Sequence, residues 1–130
     1  MVLFWMSTAQ ALQLAVPFDE LCARADRVVL AEATSRDVHW TADGNGLQTH
    51  THLVELAPLD ASYEVVTQGG TLPSGHHHWV EDQAHLPLDV PVVVLLAQTG
   101  ETWRVVGGDQ GVIPVSSHDQ AEAVLEVCRD

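Results

Sequence analysis

Residues 27–56 read RVVLAEATSRDVHWTADGNGLQTHTHLVEL, and this stretch decides the fold. Val28, Val29 and Leu30 start a long strand that Val38 and Trp40 end. Asp43-Gly44-Asn45-Gly46 is a strong turn signal, because these residue types accept the backbone angles of a tight hairpin turn. Leu47 to Leu56 returns as a second strand, so the two form a hairpin. Tyr63 to Thr67 is a short third strand. Gln68 to Gly75 holds Gly69-Gly70, Pro73 and Gly75, and is a loop. His76 to Val80 is expected to re-enter the sheet, and Glu81 to Leu88 is a polar connection. Val90 to Ala97 is the most apolar run, and its length and β-branching predict a buried strand. Pro91 suits only the start of that strand, since it lacks an N–H. Thr102 to Val106 and Val112 to Val115 are the last strands. Gly107-Gly108-Asp109-Gln110-Gly111 turns one into the other.

A helix flanks this β-rich body at each end. Pro17 opens the first, with Asp19 and Glu20 where the helix dipole favours acids. Ser117-x-x-Gln120 is a capping box for the second. Phe18, Leu21, Cys22 and Ala25 repeat at helical spacing, as do Ala121, Val124, Leu125 and Cys128. Each cysteine therefore sits on the apolar stripe of a terminal helix. Without a CxxC motif the two fit either a single structural bridge or a pair of buried thiols. One long first strand, short strands with tight turns and two flanking helices predict a mainly β fold, a small closed or nearly closed barrel. A sandwich is the alternative. With 130 residues the chain fits one domain.

Residues 1–16 are mostly apolar, yet too short for a membrane span of ~20 residues. Ala9-Gln10-Ala11 fits a secretory cleavage site, so residues 1–11 are expected to be a signal peptide and 12–130 the domain, secreted or periplasmic. A basic stretch ahead of the apolar core is missing, so the same segment also reads as an N-terminal arm. Eighteen acids face five basic side chains, all arginine, for a net charge of −13. That balance argues against nucleic acid and against anionic membranes, and favours cationic partners.

Histidine is the enriched reactive type, with eight copies. His50 and His52 alternate on one strand and share a face. His76 and His78 do the same if their stretch is extended. Convergence of the four would make a zinc or copper site, with Glu81, Asp82 or His85 as a further ligand or support. H-x-H plus HHH matches no zinc signature, and a solvated histidine-rich face is the simpler reading. Serine catalysis has little support. Ser74-Gly75-His76 is not a nucleophile elbow, and neighbouring Ser117 and His118 do not make a triad. Asp19-Glu20 and Glu81-Asp82 are adjacent acids that point apart. Trp40, Trp79 and Trp103 sit on expected strands and suit core or rim packing.

The order of segments resembles a family of small exported, largely uncharacterised bacterial β-barrel proteins. The residues that carry the resemblance are Glu20-Leu21 with Ala25-Asp26, Val28-Val29, Thr49 and Leu59, Gly69-Gly70, and Val92 to Leu96. Its most specific part is Trp103-Arg104-Val105-Val106-Gly107 with Gln110-Gly111 and Val115. The opening from Phe18 to Leu30 also resembles the netrin-like module of tissue inhibitors of metalloproteinases, an OB-type barrel. That resemblance implies a Cys22–Cys128 disulfide and a role in binding a secreted protease. Those inhibitors chelate the protease zinc through an N-terminal Cys-x-Cys, and no cysteine stands near Leu12 here.

The expected function is thus an exported, non-catalytic protein-binding module that binds or inhibits a secreted protease, a metalloprotease by the netrin-like resemblance. The alternative is a transition-metal-binding protein using His50, His52, His76 and His78. A hydrolase comes third.

Overall fold

A computed structural model describes residues 17–80 and 83–128. The expected signal peptide, and Glu81 and Asp82, lie outside the described residues. Helix α1 (Phe18–Arg24) leads into β1 (Arg27–Trp40), β2 (Leu47–Ala57) and β3 (Ser62–Gln68). Two short strands follow, β4 (Gly70–Thr71) and β5 (His77–His78). Then come β6 (Pro91–Thr99), β7 (Thr102–Val105), a 3-10 turn over Gly108–Gly111, β8 (Val112–Pro114) and α2 (His118–Val127).

The main sheet runs β1-β2-β3-β7-β6-β8, and β1 also pairs with β6. That last pairing bends the sheet into a ring, which removes most of its edges and rules out the sandwich. Long β1 makes closure possible. Its first half pairs with β6 from Arg27↔Leu96 to Glu32↔Pro91, while nearly its whole length pairs with β2. The ring is thinnest between β3 and β7, which run parallel and meet at Val65↔Trp103.

Two cores follow from this wrapping. Val29, Ala31, Ala33, Leu53, Tyr63, Val65, Val92, Val94 and Leu96 fill the barrel. Leu30, Val93, Leu95 and Ala97 face outward and are covered by Leu21 of α1 and by Ala121 and Leu125 of α2. β6 is apolar at every position from Val92 to Ala97 because both of its faces are covered. Ser117 caps α2 by accepting from the Gln120 N–H at 3.1 Å. Cys22 and Cys128 form a disulfide, with Cα atoms 5.2 Å apart, which ties α1 to the end of α2.

Two local features depart from the expected strands. β1 carries a bulge: Ala33 pairs with Leu53 and Ser35 with His52, leaving Thr34 over. The inward row therefore changes from Val29, Ala31 and Ala33 to Arg36 and Val38. The His76–Val80 stretch does not re-enter the main sheet. His77 and His78 pair with Thr71 and Gly70 in a separate two-stranded ribbon. Gly69 and Gly70 at positive φ turn the chain away from β3 before it can continue the ladder.

Candidate functional site

A cleft of about 710 Å³ opens at one mouth of the barrel. The bulge in β1 brings Arg36 and Val38 to it. The pleat of β2 brings Thr49 and Thr51, and β3 brings Thr67. The connection after β3 supplies the rest, including His77, His78, Trp79, Gln83 and His85. Gly70 is held close here, since a Cβ on it would lie 2.6 Å from Thr49 Oγ1 and 2.9 Å from Val38 Cγ1. The Arg36 guanidinium donates to the Leu86 carbonyl at 3.1 Å, and the Thr49 hydroxyl donates to the Gly69 carbonyl at 2.8 Å. Thr51 differs. It is 2% exposed, and its hydroxyl has no hydrogen-bond partner among the described residues. A buried hydroxyl left in that state costs about 1–3 kcal/mol.

The cleft offers hydroxyls, amides, imidazoles and one indole. It is built for hydrogen bonding and stacking. A binding module predicts an exposed apolar or Trp-bearing patch and no internal polar pocket, and the polar lining of this cleft departs from that. Trp79 lies beyond β5, not on a strand, and is 69% exposed. Trp40 ends β1 at 49% exposure, and its ring stacks 4.8 Å from that of His76. Trp103 does pack, edge-on against Tyr63 at 5.0 Å.

The expected four-histidine centre is not assembled. His50 and His52 share the outer face of β2. His50 Nδ1 lies 2.6 Å from Glu64 Oε2, and its ring meets His39 at 4.9 Å. His78 sits on the ribbon, where its Nδ1 accepts the Leu47 N–H at 3.2 Å. His77 Nδ1 lies 2.6 Å from the Thr71 hydroxyl, and His76 is against Trp40. Among the described residues no group of three or more His, Cys, Asp or Glu is placed to hold a metal ion. The reason is topological: the ribbon meets the inward row of β2, at Leu47 and Thr49, while His50 and His52 lie on its outer face.

One polar cluster went unread in the sequence. Glu55 sits in the inward row of β2 with a fully buried side chain. Its carboxylate accepts from the Tyr63 hydroxyl at 2.5 Å and the Leu59 N–H at 2.6 Å, with Arg27 at 3.5 Å. The Arg27 guanidinium also lies over the Tyr63 ring, 5.8 Å from its centroid. Burial first, then the hydrogen bond to Glu55 and its charge, pushes the Tyr63 phenol up to about 12. The cluster pins the β2–β3 turn, since Leu59 belongs to it. A signal was present: counting by twos along β2 from buried Leu47 and Leu53 lands on Glu55, as it does on Thr49 and Thr51.

No described helix is long and apolar enough to cross a membrane. Comparison of the chain with protein families, with curated proteins and with solved structures finds no match.

Proposed function

We propose that this chain is an exported, non-catalytic protein-binding module on an OB-like, netrin-like barrel. Its partner is a secreted protease, foremost a metalloprotease with a basic surface. The observation that carries this reading is the conjunction of strand order and disulfide. The ring β1-β2-β3-β7-β6 returning to β1, with β3 parallel to β7, supports the reading as an OB-type barrel, which is five-stranded and partly open. The Cys22–Cys128 bond joins the first helix to the domain's end, as the netrin-like resemblance implies. The disulfide also suits an oxidising, extracytoplasmic compartment. The net charge of −13 favours a cationic partner surface.

Exposed Trp40 and Trp79 are the anchors of the interface, because indoles contribute large contact areas at small entropic cost. The test is titration of the folded chain with secreted metalloproteases of basic and acidic surface, reading both affinity and residual protease activity. Saturable binding of a basic protease, weakened about tenfold or more by Trp79→Ala, is the expected result. Absence of binding to every protease tested, or binding that ignores both tryptophans, would discard the reading.

A further inference from the structure

Among the described residues β1 has an open edge beside the cleft. It pairs with β6 from Arg27 to Glu32 and with β2 from Leu30 onward, and Leu88 bridges it at Ala33. From Ser35 to Trp40 it pairs with β2 alone. The hydrogen-bond phase says which groups are free. Thr41 N–H donates to the Gly46 carbonyl, so bonded pairs fall at Thr41↔Gly46 and at every second residue before it. The other side of β2 agrees: Glu55 N–H donates to Ala61 and Gly69 N–H to Leu47, so odd positions of β2 bond to β3 and even ones to β1. His39, Asp37 and Ser35 therefore bond to β2. The backbone groups of Arg36, Val38 and Trp40 are aimed away from it.

Natural proteins shield such edges with charge, proline or a covering element. Here the edge is flanked by an indole, and Arg36, Asp37 and Val38 line the cleft that contains the Thr51 hydroxyl. Thr51 is the cross-strand neighbour of Arg36. Among the described residues, a free edge, an adjoining cleft and a buried hydroxyl without a partner occupy one place.

We propose that the edge Arg36–Trp40 takes an extended, basic peptide segment of a protein partner as an added β-strand, with its basic side chains on the Asp37 face and a hydroxyl side chain turned into the cleft onto the Thr51 hydroxyl. This deepens the protein-binding reading above and rests on it. Three free edge residues offer about six main-chain hydrogen bonds to such a segment. Main-chain bonding holds the strand. Its cationic character follows from the chain's acidity, with Asp37 at the edge on the face away from Arg36. On the cleft face a hydroxyl can donate to the Thr51 oxygen beside the Arg36 guanidinium.

The probe is an end-blocked peptide of about eight residues, alternating lysine and threonine, long enough to overlap the free edge at ~3.3 Å per residue. One control carries glutamate for lysine. Another is N-methylated at alternate backbone amides on its bonding edge. The readouts are affinity and residue-resolved amide hydrogen exchange on the full disulfide-bonded chain. The lysine peptide should slow exchange at the Arg36 and Val38 amides. Each control should bind at least about tenfold more weakly, the loss that one or two missing hydrogen bonds produce. Thr51→Val should weaken the peptide while leaving the melting temperature equal or higher, because the hydroxyl it removes has no partner among the described residues. No binding of the lysine peptide, equal binding of the methylated one, or a bound peptide with Arg36 and Val38 exchanging as before overturns the proposal. So does an oligosaccharide that occupies the cleft where the peptide does not. A whole protease that binds while those two amides exchange freely overturns the edge and keeps the module. Edge protection by the peptide with no protease bound keeps the edge and removes the protease.

Discussion

Replacing both Cys22 and Cys128 by alanine should destabilise the domain about as much as its costliest single core substitutions. The bond closes a loop across a sequence separation of 106 residues. In the chain-entropy model a loop of that size restricts the unfolded ensemble by about 4.7 kcal/mol. The folded state itself should change little. Leu21 of α1 and Ala121 and Leu125 of α2 remain buried against β6 and hold both helices in place. For a domain of this length each kcal/mol moves the melting temperature by roughly 4 °C, so a fall of about 15–20 °C is expected. Thermal unfolding of the oxidised chain and the double variant gives the comparison. Urea unfolding adds a second readout, because freeing the unfolded ends should raise the m-value. Near-ultraviolet circular dichroism should be unchanged below the transition. A fall of less than about 5 °C with an unchanged m-value would refute the idea that the bond acts by tying the chain's ends in the unfolded state.

The buried carboxylate gives a graded pair. Glu55→Ala strands the Tyr63 hydroxyl, the Leu59 N–H and Arg27, and should cost about 3–5 kcal/mol in denaturant unfolding, while Tyr63→Phe leaves the carboxylate two partners and should cost about 1–2 kcal/mol. Tyr63 also sets an alkaline limit. Its folded value of about 12 lies above the ordinary 10.0, so the folded state keeps its proton longer than the unfolded state does. The resulting stability is complete below pH ~10 and falls as pH rises towards ~12, by at most about 2–3 kcal/mol. Tyr63 is the only tyrosine, so phenolate absorbance titrates it alone; a midpoint near 10 in the folded chain would contradict the buried hydrogen bond. Gly70→Ala should destabilise by about 1–3 kcal/mol, since φ is 142° and the new Cβ would meet Thr49 Oγ1 at 2.6 Å. An unchanged melting temperature there would mean that the ribbon is not held against the mouth.

What the sequence determined by itself was local. The strand Arg27–Trp40 has the limits that its apolar ends and the following turn signal predict. Ser117 caps α2, and the run from Val92 to Ala97 is a strand covered on both faces. Spacing and residue type encode these, because helix stripes, caps and turn angles need only neighbours in the chain. What only the tertiary structure decided depends on contacts between distant segments. The Thr34 bulge reverses which β1 side chains enter the barrel, and nothing in the residue pattern marks the slip. Closure of β1 on β6 makes the ring and leaves Ser35–Trp40 with an open edge. The path of Gly69 and Gly70 keeps His78 on a separate ribbon and away from the outer face of β2. Glu55 is an ordinary acid in the sequence. It becomes a buried hub because closure puts its strand face inside, where a carboxylate persists only if donors surround it.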